Sequence, residues 1–323
     1  MRFGLTGGQR GFMVTNAAII HKGKQYPNYL DDFIHQFFLT NKDTKLYCIV
    51  DESFEQLLEL QKQYEQLYIV LSNDINITKE HLFFLRFNRL TRQKWRDGFW
   101  RFVVERFFIL YDFMSTYCIT SIYHFEYDNA IYADLTELEQ KLSSFKAILL
   151  PADADKRCIP GFVYIPEKEI LREFCCFYNR KHTLFPKNDM IAFSEFMEKK
   201  TLICKSLPVI PPSYYFTNKK LISTSGKTSN KPWVFYENYE KTRTLFDAAA
   251  FGQYLGGIDP RNGESKKGFI NETAVYSPAD FQVIWKHENS IKKPFIVFQG
   301  EEYPLANLHI HSKNLKEFRS DLI

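Results

Sequence analysis

Apolar positions in the first half of the chain switch repeatedly between two periods. Residues 14–21 form a short apolar run that ends in His21-Lys22-Gly23, as a buried strand feeding a loop would. Residues 29–38 repeat Leu30, Phe33, Ile34 and Phe37 at helical spacing. A β-rich run at 45–50 stops on Asp51-Glu52, a helical period returns over 54–64, and 68–71 reads as a third strand. A long helix is predicted over 99–117, followed by a strand over 119–125 that stops on Glu126-Tyr127-Asp128. Strands alternating with helices of this length predict an α/β fold: a mostly parallel sheet with helices on both faces. Such sheets bind ligands beyond the carboxyl ends of their strands. Three of the predicted strands end there in His21-Lys22, Asp51-Glu52 and Glu126-Tyr127-Asp128.

The second half is less regular. Strands are predicted over 145–150 and 161–165, and helices over 167–178 and 189–199. The stretch 207–233 holds Pro208, Pro211, Pro212, Gly226 and Pro232 among many Ser, Thr and Asn, which reads as a long loop of the kind that serves as a lid. A helix capped near Thr244 or Asp247 follows, then a turn-rich stretch from Gly256 to Asn262, and strands over 294–298 and 306–311. No linker interrupts the pattern, so one domain is expected over 1–323, with a sheet-rich half at 12–150 and a less regular half at 151–323.

Composition narrows the class. A chain that is 45% hydrophobic and 17% aromatic is a packed protein, since disordered chains are poor in aromatics. A net charge of +4 without a dense Lys/Arg block argues against nucleic acid as a partner. The six cysteines show no C-x-x-C spacing and read as buried, reduced thiols, which points to the cytoplasm. Residues 1–11 lack the apolar core of a signal peptide. Arg101, Glu105, Arg106 and Asp112 make the 99–117 helix a buried soluble one.

Two carboxylates two residues apart share a face if the segment stays extended, and they repel unless a cation sits beside them. Glu126 and Asp128 therefore suggest a hard divalent ion, Mg²⁺ or Mn²⁺, bridging phosphate oxygens. The plain alternative is a solvated strand end. Near the C-terminus Asn307, His309 and His311 alternate, with Lys313 beyond, so an imidazole could complete an oxygen-rich metal site and the lysine could meet a phosphate. Whether the two clusters meet is not visible in the sequence.

Together these residues resemble glycosyltransferases of the nucleotide-sugar-binding fold called GT-A. More narrowly they are similar to a group of bacterial and giant-virus chains read as glycosyltransferases. The resemblance rests on Glu105-Arg106-Phe107-Phe108, His124 through Asn129, Phe246 through Gly257, Asp259-Pro260-Arg261-Asn262, and Asn307 through Lys313. It implies a GT-A-like, Rossmann-type central sheet, a UDP- or GDP-linked sugar donor, and a saccharide or lipid-linked acceptor. It further implies a nucleotide pocket lined by His21, Lys22, Gly23 and Asp51, with Arg106 reaching the diphosphate or serving as a structural ion pair. Asp128 is expected to bind the metal with His309 or His311, with the longer Glu126 contacting ribose or water. Asp247 is either the N-cap of its helix or the base that deprotonates the acceptor, and Gln253 in the glycine-rich stretch reads as close packing or donor contact. A nucleotidyltransferase and a non-catalytic carbohydrate-binding protein remain as competing readings. Peripheral membrane contact stays open, and oligomeric state is not legible.

Overall fold

A computed structural model describes residues 14–92, 98–288 and 291–322. The 1–11 stretch and Trp95 lie outside the described residues. The predicted alternation is realised as β1 (Asn16–His21), α1 (Leu30–Thr40), β2 (Lys45–Val50), α2 (Glu55–Gln63), β3 (Leu67–Leu71), α3 (Lys79–Phe87), α4 (Phe99–Thr116) and β4 (Ile122–Phe125). The helix α3 is not evident in the sequence pattern, because its buried residues include Glu80 and His81. After β4 come β5 (Asn129–Ile131), α5 (Leu135–Leu142), β6 (Ile148–Ala154), β7 (Arg157–Cys158), β8 (Phe162–Ile165), α6 (Lys168–His182), α7 (Asp189–Lys199) and β9 (Cys204–Leu207).

The central sheet has eight strands in the order β3-β2-β1-β4-β8-β6-β7, with β9 paired to β6. The pairs β1–β2, β1–β4, β2–β3 and β6–β9 are parallel, and β8 runs antiparallel between β4 and β6. The fold class is thus α/β with a mostly parallel sheet flanked by helices. Strands β1 and β4 are buried nearly throughout, which is why they read as continuous apolar runs rather than alternating ones. Their carboxyl ends share one edge of the sheet. One buried cluster runs from Ala17 and Phe33 through Phe107 and Phe162 to Phe246, Leu308 and Phe318, so both halves contribute to the same core.

The remaining elements are α8 (Pro212–Asn218), α9 (Tyr239–Thr242), α10 (Ala250–Gly256), the antiparallel trio β10 (Gln282–Glu288), β11 (Ile291–Phe298) and β12 (Glu301–Pro304), and β13 (Asn307–His309). The stretch expected to be a lid instead contains α8 and is tied down at both ends. Val209 N–H donates to the Phe235 carbonyl at 2.9 Å, and Ser229 Oγ donates to Asp155 at 2.5 Å. Its prolines start a helix (Pro212 lies in the first turn of α8) rather than only breaking one. Among the described residues no helix is long and apolar enough to cross a membrane. All six cysteines are free, but Cys118 is exposed and Cys176 half-buried, a correction to the expectation that every thiol is buried.

Candidate functional site

The chain converges on the end of β4. Beyond Phe125 the backbone does not stay extended: Asn129 N–H donates to the Glu126 carbonyl at 3.1 Å, closing a turn over 126–129. Glu126 and Asp128 are therefore brought together by a turn rather than by strand alternation. β13 then pairs antiparallel with β5, setting His309 opposite Asn129, and Ile310 N–H reaches the Asp128 carbonyl at 2.7 Å. This register carries the His309 ring across 181–183 residues of sequence to the two acids. Its Nε2 lies 3.2 Å from Glu126 Oε2 and 3.2 Å from Asp128 Oδ1. The three groups offer ligand atoms within 4.8 Å of one another.

Surrounding charges hold both acids in their ionised form. Burial opposes ionisation of Asp128, but Lys313 and His309 outweigh it and hold the carboxyl well below its usual value. Lys313 Nζ contacts the outer carboxylate oxygen of Asp128. At Glu126 burial is again outweighed, here by Arg106 and His309, so its carboxyl is also lowered. Arg106 grips Glu126 with one guanidinium nitrogen, while the other donates to Asp189 at 2.6 Å and to the Pro160 carbonyl at 3.3 Å. Arg106 is thus a buried ion-pair anchor that aims Glu126. Burial also disfavours the charged form of His309, yet Asp128 and Glu126 raise its pKa above the ordinary histidine value.

The cluster opens onto a cavity of about 620 Å³, within the range of small-ligand sites. Lys22, Arg106, Glu126, Asp128, Gln253, His309, His311 and Lys313 line it, together with Tyr29, Tyr127, Trp100, Asp189 and Arg261. Gln253 is 8% exposed and its Oε1 has no hydrogen-bond partner among the described residues. Tyr127 stacks on Tyr29 with ring centroids 5.4 Å apart, and its hydroxyl meets His21 Nδ1 at 2.9 Å. His21, Gly23 and Asp51 do not border the cavity themselves. Asp51 takes Lys22 and the Ser72 hydroxyl (2.7 Å), and these contacts outweigh burial and hold its carboxyl below the ordinary value. Its effect on the cavity runs through Lys22.

Three further residues sit differently from their expected places. Asp247 is 1% exposed and lines no part of the cavity. Its carboxylate accepts backbone N–H groups from Phe251 (2.9 Å), Gly252 (2.8 Å) and His309 (2.9 Å). The N-cap of α10 is Ala249, and Asp247, two residues before it, holds the first-turn amides and pins that turn to β13, a structural role for its carboxylate. Burial still pushes its carboxyl up to about 6 despite those amides. His311 falls outside the metal-capable group: its Nδ1 accepts Asp259 N–H at 3.0 Å, which leaves the proton on Nε2. Burial and the nearby Lys313 push His311 down to about 4. Glu126, in turn, stands as near to His309 as Asp128 does and joins the ligand-capable set rather than standing behind it.

Residues that the sequence reading passes over do much of the positioning. A Cβ on Gly161 would lie 2.7 Å from the His309 ring, and one on Gly252 would lie 2.0 Å from the His309 carbonyl oxygen. Both glycines exist at points of close approach. Asn129 donates to the Gly161 carbonyl at 2.8 Å and accepts from Asn307 at 2.6 Å, tying the three segments together. Gly252, Asn129 and Asn307 lie in stretches that the sequence singles out, whereas Gly161 is marked there only as the start of a predicted strand.

No family model and no curated protein matches the chain in sequence. Among solved structures it is similar to mouse xyloside xylosyltransferase 1 in its apo form, with 7% identity and a TM-score of 0.44 over 63% of this chain and 90% of that one. It is also similar to the glycosyltransferase GlyE of Streptococcus pneumoniae TIGR4, with 11% identity and a TM-score of 0.40 over 60% of this chain and 45% of that one. A third is the galactosyltransferase LgtC in complex with donor and acceptor sugar analogues, with 10% identity and a TM-score of 0.38 over 63% and 78%. The chain spans under half the length of GlyE. At these identities and TM-scores the chemistry of this chain has to be argued from its own residues.

Proposed function

We propose that the chain transfers a sugar from a nucleotide-diphosphate donor to a saccharide or lipid-linked acceptor, assisted by Mn²⁺ or Mg²⁺. The observation that carries this reading is the meeting of Glu126, Asp128 and His309 at the carboxyl edge of the sheet, inside a cavity that also holds Lys313 and Arg261. Two carboxylate oxygens and one imidazole nitrogen form a donor set suited to a hard or borderline divalent ion. Such an ion, when bound, neutralises charge that develops on the departing diphosphate.

The protein's own groups supply the rest. Arg106 holds Glu126 in place, and Gly161 leaves room for the His309 ring. Lys313 and Arg261 put positive charge where the phosphates would lie. Lys22, steadied by Asp51, and the Tyr29–Tyr127 pair form the nucleotide side. Gln253 offers its unpartnered buried amide oxygen to a sugar hydroxyl. Every carboxylate lining the cavity is ion-paired among the described residues (Glu126, Asp128, Asp153, Asp189 and Asp259), so with Asp247 withdrawn no residue is assigned as base.

The test is a panel of UDP- and GDP-sugars, scored by thermal shift and by donor hydrolysis or transfer, with and without Mn²⁺. A donor should raise Tm only with the ion present. Asp128→Ala and His309→Ala should abolish that shift, whereas His311→Gln should keep the Mn²⁺ requirement. If no nucleotide sugar raises Tm in Mn²⁺, the transferase reading fails. Release of pyrophosphate from a nucleoside triphosphate would favour a nucleotidyltransferase instead.

A further inference from the structure

α3 is turned inside out. It buries Glu80, His81 and Phe84, and exposes Leu82 (53%), Phe83 (42%) and Phe87 (50%) together with Arg86. Beside Phe84, the buried face carries a polar network. His81 meets Asp112 at 2.5 Å and Glu105 at 3.5 Å, Arg172 donates to Glu80 at 2.7 Å, and Asn179 donates to the Glu80 carbonyl at 2.8 Å. A surface helix ordinarily does the reverse.

A second segment extends the apolar face. Arg89 N–H donates to the Thr183 carbonyl at 3.1 Å, and Asn88 donates to the His182 carbonyl at 3.0 Å, which brings the 183–187 loop against the end of α3. That loop exposes Leu184 (58%) and Phe185 (75%). Single exposed apolar residues need no explanation, but a group of this kind does.

The patch lies beside the cavity. Contacts pair Thr78 with Asp112, His81 with Glu105, and Phe84 with Phe108, so α3 runs antiparallel to α4. Its apolar end therefore points toward the start of α4, where Phe99 and Trp100 line the cavity. The 183–187 loop leads directly into Asp189 and Met190, which line it too. Around the patch Arg86, Arg89, Arg92, Arg180 and Lys187 are exposed and hold no ion pair among the described residues, while Glu195 is taken by Lys181.

The geometry points to a membrane-docking shoulder: α3 and the 183–187 loop seat in the headgroup region of an anionic bilayer, next to the mouth of the cavity. Aromatic and leucine side chains enter that region, and exposed cations are drawn to anionic lipid. A second copy of the chain fits this face poorly, because a two-fold contact would oppose like-charged patches. For the transferase reading, on which this part rests, docking would let the sugar of a lipid-linked acceptor enter the cavity while its lipid stays in the bilayer.

Flotation of the full chain with phosphatidylcholine vesicles, with and without about one-third phosphatidylglycerol, tests the docking. The wild type should float only with the anionic vesicles and be released by salt. Phe83→Ser/Phe87→Ser should lower that binding about tenfold or more, while any Mn²⁺-dependent shift in Tm stays as in the wild type. Absence of flotation with anionic lipid, or a double variant that binds as the wild type does, overturns the proposal. So does light scattering that shows a dimer dissolved by the two substitutions. A chain that floats but binds no nucleotide sugar keeps the docking surface and loses the transferase reading.

Discussion

Replacing Gly161 with alanine tests the link between packing and metal chemistry. Its backbone is not in the left-handed region, so alanine strains nothing by its conformation alone. The added Cβ lies 2.7 Å from His309 Cε1 and Nδ1, and 2.8 Å from Asn129 Nδ2. Ordinary contact begins near 3.4 Å, so the ring must retreat by about 0.7 Å. The backbone of His309 cannot follow. Its N–H is held by Asp247, its carbonyl abuts Gly252, and its strand is locked in register with β5. The ring must therefore swing, carrying Nε2 away from the 3.2 Å positions it holds against Glu126 and Asp128.

Metal–ligand distances tolerate only about 0.2 Å, so a swing of this size removes most of the imidazole's contribution. Disturbing the support of a ligand typically weakens metal affinity about 10–100-fold. Overpacking should also cost about 1–3 kcal/mol of stability, a fall in Tm of roughly 2–4 °C for each kcal/mol. Calorimetric titration with Mn²⁺ at a temperature where the variant stays folded reads the first effect, and a melting curve in EDTA reads the second. Gly256→Ala is the control, since its Cβ meets Ser312 and Phe318 rather than His309, and its Mn²⁺ affinity should be that of the wild type. If Gly161→Ala binds Mn²⁺ as tightly as the wild type, His309 is not a ligand.

Two further outcomes follow from buried groups away from the metal. Asp247→Asn replaces a carboxylate that accepts three backbone N–H groups with an amide offering one acceptor, leaving buried donors unsatisfied at a cost of about 2–4 kcal/mol. Tm should fall by several degrees while kcat well below Tm changes less than about tenfold; an unchanged Tm with kcat down more than about 100-fold would restore the base assignment. His81 is disfavoured as a cation by burial, but Asp112 and Glu105 outweigh this and raise its pKa above 6.5. Its stabilisation is therefore complete below pH 6.5 and is lost as pH rises through the raised value. Glu105, lowered by His81 and Arg101 against burial, adds stability above pH 4.5 that is lost as pH falls through its lowered value. An NMR titration that places the His81 midpoint below 6.5 in the native chain would refute the buried ion-pair network.

The hydrophobic pattern alone determined the strands and helices around β1, β2 and β4, and it aligned Lys22, Glu126 and Asp128 at one edge of the sheet. Those features follow from local periodicity and from the direction of parallel strands, both of which are written in short stretches of chain. Helix α3 escaped because its inward face is charged, so no apolar period marks it. Which histidine joins the acids was decided only by the pairing of β13 with β5, a contact between segments about 180 residues apart. The same holds for Asp247: its residue type suits a cap or a base equally, and only the three amide donors around it choose between them. Side-chain type sets what a group can do. Its partners, supplied by tertiary packing and invisible to periodicity, set whether it is free to do it.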